Sequence, residues 1–174
     1  GMDISPANPD VLYAIVEASG SSGGFYRSTN RGRSWSRRSS YMTSSPQYYN
    51  ELFCDPHNVD RVYAIDTVLQ VTEDGGASFN GVPIGGKHVD DHVLWIDPNN
   101  TDHILCGCDG GIYETWNRGG SWLYKPNLPV TQFYRVTVDN SEPFYYVYGG
   151  TQDNNTQYGL SLIHISEPTR RTVI

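Results

Sequence analysis

Apolar and polar side chains alternate along this chain in short bursts broken by Gly, Pro, Asn and Asp, the pattern of half-buried β-strands joined by tight turns. The clearest group reads "DDHVLWIDP", "HILCGC", "GIYETW" and "SWLYKP", which predicts four consecutive strands. The group before it, "YYNELFCDP", "RVYAID", "LQVTED" and "SFNGVP", follows the same plan, with "DVLYAIV" upstream and "FYRVTVD" and "YYVYGGT" downstream. No stretch sustains an apolar period of about 3.6 residues, which excludes a helical solenoid.

The turns repeat as faithfully as the strands. Ser28, Asn30, Gly32, Ser34 and Trp35 share a spacing with Thr72, Asp74, Gly76, Ser78 and Phe79, and again with Thr115, Asn117, Gly119, Ser121 and Trp122. The copies begin 44 and 43 residues apart. In each, Asp or Asn can bond the backbone of its own turn, Gly accepts positive φ, and the aromatic ring packs as the next strand begins. A second turn travels with the first: "SPANPDVLYAI", "DPHNVDRVYAI" and "DPNNTDHILCG", with "VDNSEPFYYVYGG" as a looser fourth. A period of about 40 to 45 residues with several short strands per unit signals propeller blades. The expected fold is all-β, a fragment of a β-propeller with about three to four four-stranded blades, since so few fall short of the four to eight that usually close a ring. Residues 1–159 are expected to hold this partial propeller, with an incomplete blade at each end. The stretch from Leu160 to Arg170, "LSLIHISEPTR", resembles the in-frame translation of a sequencing-library adapter. That resemblance implies that residues 160–174 are a non-native tail and that His164 belongs to no site.

Composition sharpens this picture in a few places. The 13 Tyr, 4 Trp and 5 Phe carry much of the hydrophobic content beside 18 Gly and 10 Pro, a balance suited to strands and turns. Net charge is −7 with the Arg residues scattered, so no electrostatic footprint for nucleic acid is present. No apolar run approaches the roughly 20 residues that span a bilayer, and "GMDISPANPD" is neither basic nor apolar enough for a signal peptide. Cys106 and Cys108 share one face of a predicted strand, but neither they nor Cys54 have partners at metal-ligand spacing. They read as small buried hydrophobes, and no metal or cofactor is expected.

Candidate chemistry gathers in two segments. In "KHVDDHVLW", strict alternation puts His88, Asp90 and His92 on one face of an extended strand, continued by Leu94 and Ile96, with Val89, Asp91, Val93 and Trp95 opposite. Two imidazoles flanking a carboxylate suit proton transfer, a divalent ion, or a ligand at the axial mouth of a propeller. The plainer reading is a hydrogen-bonded loop entering a strand. In "GGTQDNNT", Gln152, Asp153 and Asn154 follow a tyrosine-rich strand and suit sugar hydroxyls, as do Tyr48, Tyr49 and Glu51 of "QYYNE"; loops, however, contain such residues in any case. Glycoside hydrolysis needs two carboxylates at a set separation. Glu51, Asp90, Asp91, Asp109 and Asp153 qualify by type, and no spacing pairs any two of them.

The repeated turn resembles the Asp-box, or BNR repeat. The wider spacing resembles propellers of the sortilin/VPS10 type and of xyloglucanase-like glycoside hydrolases. The run from "HVDDHVLWIDP" to "GGTQDN" is similar to bacterial secreted BNR-repeat glycosyl hydrolases and sortilin N-terminal-domain proteins. The resemblance covers Ile4 to about Gly159 and departs at Asn30, Asn117 and Phe79, where the family prefers Asp or Trp. It implies that the boxes are structural, that the protein is secreted or envelope-associated, and that one face recognises a glycan or a peptide. The alternative it carries is a glycoside hydrolase whose catalytic carboxylates lie partly outside this stretch, with the remaining blades.

Overall fold

The computed structural model describes residues 1–127, 132–152 and 155–161. Two units divide the chain, Gly1–Asn127 and Leu128–Ile174. In the first unit, β1 (Met2–Ile4), β2 (Leu12–Val16), β3 (Gly24–Ser28) and β4 (Ser36–Ser39) form a sheet in chain order. A second sheet holds β5 (Leu52–Cys54), β6 (Val62–Ala64), β7 (Gln70–Thr72) and β8 (Asn80–Gly81), and a third holds β9 (Asp91–Ile96), β10 (Ile104–Cys108), β11 (Gly111–Thr115) and β12 (Leu123–Tyr124). Every pairing is antiparallel, so each sheet is a four-stranded meander, or blade. Met2–Ile4 supplies an inner strand ahead of the "DVLYAIV" segment, so the first blade is four-stranded as well. The second unit is a three-stranded meander of β13 (Phe133–Val138), β14 (Tyr146–Thr151) and β15 (Thr156–Leu160). Leu160 pairs with Tyr146 as the last residue of β15, and residues 162–174, most of the segment likened to an adapter, lie outside the described residues.

The core of the first unit lies between blades rather than within them. Val11, Tyr13, Ile15 and Phe25 of the first blade pack against Leu52, Cys54, Val62 and Ala64 of the second. Successive residues point to opposite faces, so Tyr63, Ile65 and Leu69 turn the other way, onto Leu94, Ile96, Ile104, Cys106 and Trp122 of the third. That explains why "VYAI" is a continuous apolar run: a strand covered on both faces has no solvent side. Each such Leu, Ile or Phe contributes about 1.5 to 3 kcal/mol by leaving water.

Three repeated bonds build the end of each blade. Within the box, the Ser28, Thr72 and Thr115 hydroxyls each accept the N–H of the glycine four residues on, at 2.9 Å in every copy. Asn30, Asp74 and Asn117 each accept the N–H of Ser34, Ser78 and Ser121, again at 2.9 Å. The box then reaches the turn between the first two strands of its blade: the N–H groups of Arg31, Gly75 and Arg118 donate to the Asp10, Asp60 and Asp102 carbonyls at 3.0, 2.9 and 3.0 Å. Arg31 and Arg118 adopt the left-handed region at φ 60° and 56°, and their guanidinium groups also pair with Asp10 and Asp102.

The box also locks each blade to its predecessor. Phe79 stacks on Tyr41 and meets Phe25 edge-on, and Trp122 donates its indole N–H to the Pro83 carbonyl at 3.0 Å. A β-carbon on Gly76 (φ 93°) or Gly119 (φ 88°) would fall 2.2 Å from Phe25 or Val82. The equivalent Gly32 (φ 78°) has 3.7 Å to its nearest neighbour, Trp35.

Two outcomes follow for stability. Gly32→Ala should cost about 1 to 2 kcal/mol, the left-handed backbone penalty alone, whereas Gly76→Ala and Gly119→Ala should cost about 1 to 3 kcal/mol more through overpacking. Urea denaturation that gave all three the same loss would remove this account of the blade contact.

Asp74 is held well below the usual carboxylate range, chiefly by the Ser78 hydroxyl and backbone N–H and by the Thr72 hydroxyl. A depressed carboxylate adds stability that is full above its unfolded value, near 4, and is lost as pH falls through that value toward the folded one. Asp74→Ala should cost about 0.5 to 2 kcal/mol at neutral pH, by analogy with a lost capping side chain. Asp74→Asn should stay near the parent there and show a flatter acid limb below pH of about 4; stability curves against pH check both.

Candidate functional site

The boxes and their partner turns occupy one end of the blades, and the remaining loops gather at the other. Three of these loops meet beside β9. The first precedes β5 and carries Tyr48 and Tyr49; the second, Asp66–Thr67, follows β6; the third is the hairpin between β10 and β11, with Asp109 and Gly110 at its tip. Backbone bonds tie them to the segment entering β9: Asp90 N–H donates to the Thr67 carbonyl at 2.9 Å, Asp91 N–H to Asp66 at 3.3 Å, and Asp109 N–H to Asp90 at 3.1 Å. Asp66 fixes the first loop in turn, accepting the N–H groups of Ser44 at 3.0 Å and Thr67 at 2.8 Å. Burial and the adjacent Asp66 carboxylate push the Tyr41 hydroxyl well above its ordinary range in this cluster.

Within this frame His88, Asp90 and His92 fall into one neighbourhood but not onto one strand face. Asp90 sits in the left-handed region at φ 61°, a conformation that Asp tolerates better than most residues, and accepts the Tyr49 hydroxyl. That bond raises the Tyr49 pKa to about 12. The His92 ring is 5.7 Å from the Tyr49 ring, and its Nε2 is 2.9 Å from Asp109 Oδ1. His88 packs over the Gly110 backbone and turns its Nδ1 to the Val89 carbonyl at 2.7 Å. Tyr49, one of the three candidates in "QYYNE", thus joins the histidine cluster, while Tyr48 beside it is 69% exposed.

The alternation expected through β9 breaks at one residue. Cys106 pairs with Leu94, Gly107 with Val93, and Cys108 with Asp91, which leaves His92 without an opposite number. This β-bulge reverses the parity beyond it. His92 therefore points outward, and Asp91, expected on the face opposite Leu94 and Ile96, is fully buried on their side. Its carboxylate accepts the Leu69 N–H at 3.0 Å and the Cys106 thiol at 3.1 Å, and pairs with buried Lys87. Burial raises the Cys106 thiol well above its ordinary range, so it is a packed, unreactive group. A glycine inside a strand pattern signals a bulge, and Gly107 was that signal in "HILCGC". The Thr67 carbonyl had none, since any residue supplies one.

In the second unit Gln152 lies in the loop after β14. Its N–H donates to the Gln132 carbonyl at 3.3 Å, and its side-chain oxygen accepts from the Gln132 amide at 3.4 Å. Asp153 and Asn154 lie outside the described residues. A depression of about 270 Å³ in this unit is lined by Phe133, Val136, Val147 and Tyr158 among others, and does not include Gln152. Among the described residues, no group of three or more His, Cys, Asp or Glu is arranged to hold a metal ion, and no helix is long and apolar enough to cross a membrane.

No family model matches the chain, and no curated protein does. Solved structures do. The GH74 xyloglucanase from Xanthomonas campestris superposes with a TM-score of 0.58 at 21% identity, over 91% of this chain and 28% of its own. The GH74 enzyme of Niastella koreensis gives 0.57 at 15% identity, over 91% and 27%. YCF48 bound to a D1 peptide gives 0.50 at 15% identity, over 88% and 51%. This chain thus spans under a third of the length of those GH74 enzymes and about half of YCF48. Together with the repeated meander sheets, these likenesses show the fold: the chain is all-β, a fragment of a β-propeller.

Proposed function

We propose that the loop end of these blades is a ligand-binding surface and that the protein is a binding or scaffold propeller of the BNR-repeat, sortilin/VPS10-like type, secreted or envelope-associated. A glycan is the ligand class its side chains suit best. The observation that carries this reading is the convergence of three loops on Tyr49, Asp90, His92 and Asp109, with an exposed Tyr48 alongside. Carboxylates and an imidazole supply directional partners for sugar hydroxyls, and an exposed phenol ring offers a face for a pyranose. At the opposite end the Ser or Thr and the Asp or Asn of each box spend their bonds within their own turn. The glycoside hydrolase reading is supported by the GH74 likeness in fold and by Asp90 and Asp109 as carboxylates at this end.

Titration of the full chain with a xyloglucan heptasaccharide and with cellotetraose tests the proposal. Saturable binding is expected, with NMR shifts at Tyr48, Tyr49 and His92, and Asp109→Asn should weaken it about tenfold, as loss of a hydrogen bond to a charged group does. Absence of binding, binding of peptide alone, or shifts confined to the box end would overturn it. Release of reducing ends by a chain extended through the remaining blades would favour the hydrolase.

A further inference from the structure

We propose that the buried ion pair of Lys87 and Asp91 is a register lock, which holds the β9 bulge and thereby decides that Asp90 and His92 face the site while Asp91 does not. What the site binds rests on the reading above; the lock concerns only which side chains are presented.

Lys87 is 6% exposed and Asp91 fully buried. Two charges in a protein interior are costly to desolvate, and apolar residues of similar volume often serve stability as well or better. The best-attested use of such a pair is to fix one register against another. Here the bonds run in several directions at once. Asp91 Oδ1 takes the Lys87 ammonium and the Cys106 thiol, and Oδ2 takes the Leu69 N–H from the preceding blade. Lys87 Nζ also donates to the His88 carbonyl at 3.0 Å and stands 5.5 Å from the centre of the Trp122 ring. The pair therefore ties the segment entering β9 to β10, to the preceding blade and to the box aromatic of its own blade.

Two registers compete in this segment. Counting back from Ile96 without a bulge puts His92 inward opposite Cys108 and turns Asp91 out, so a slip of one residue exchanges the groups displayed. An inward anchor that a histidine cannot replace favours the observed arrangement, and the ammonium of Lys87 supplies it beside the Leu69 N–H. The inner strands of the first two blades pair without a register shift, Met2 to Ile4 against Ala14 to Leu12 and Leu52 to Cys54 against Ala64 to Val62. In the first unit the shifted inner strand and the buried Lys–Asp pair occur together, in the third blade.

The test is Lys87→Met with Asp91→Asn in the full chain, which removes both charges without placing an apolar side chain at position 91, compared with Lys87→Arg. Nuclear Overhauser contacts between the Tyr49 and His92 rings report the display without any ligand, so failure of the lock and failure of the glycan reading are told apart. The double variant should fold with a urea midpoint close to the parent, yet lose the Tyr49–His92 contact and shift the His92 ring signals; Lys87→Arg should keep both. A folded double variant that retains the contact at full intensity overturns the proposal, because the pair would then be packing alone. Should that variant not fold, Lys87→Gln with Asp91→Asn keeps the shape without the charges: a contact weakened at least about twofold supports the lock, and full intensity overturns it.

Discussion

At Gly76 and Gly119 the backbone of one blade comes so near the blade before it that no β-carbon fits between them. The rest of the first unit depends on that approach. It requires a left-handed glycine at a fixed point, which the hydroxyl four residues upstream holds by accepting its N–H. It places Phe79 and Trp122 against the neighbouring sheet, and it closes the layer in which Tyr63, Ile65 and Leu69 are buried. Blades of four short strands have little interior of their own. Their stability is made at the seams, and the box sets the distance across each seam.

Because the box end consumes its polar groups in its own turns, the opposite end is where polar groups remain for other uses. The loops there also hold one another, through the Thr67 and Asp90 carbonyls and the Asp66 carboxylate, but the partners come from different loops rather than from one turn. Side chains such as Tyr48 and His92 are left pointing outward from a frame whose backbone is already satisfied. A rigid base with outward polar groups is the physical condition for recognition without large ordering costs.

Sequence reading recovered the architecture because its determinants are local and repeated. A strand burst, a Pro–Asn turn and a box each carry their own chemistry within a dozen residues, and three copies in register leave little room for another fold. The candidate site was legible as a neighbourhood and not as a geometry. His88, Asp90 and His92 do lie together, but alternation put His92 on the face of Leu94 and Ile96 and Asp91 on the other, and one extra residue next to Val93, the partner of Gly107, exchanged the two. Tyr49 appeared as a separate sugar-binding candidate because its partner, Asp90, is 41 residues away in sequence. The carbonyl of Thr67, which anchors the Asp90 backbone, carries no signature at all.

The boxes also separate shape from charge. In the second blade the Ser78 hydroxyl donates to the Asp74 carboxylate at 2.6 Å; in the first and third, the Asn30 and Asn117 amides donate to the Ser34 and Ser121 hydroxyls at 2.8 and 3.1 Å. A hydroxyl serves either role, so the direction of the bond inverts while the backbone keeps its course. Each blade can therefore gain or lose one negative charge at its turn end with no change of fold. The electrostatic potential of that whole face is then free to drift, or to be selected, for attraction to or repulsion from nearby surfaces, while the scaffold beneath remains unaltered.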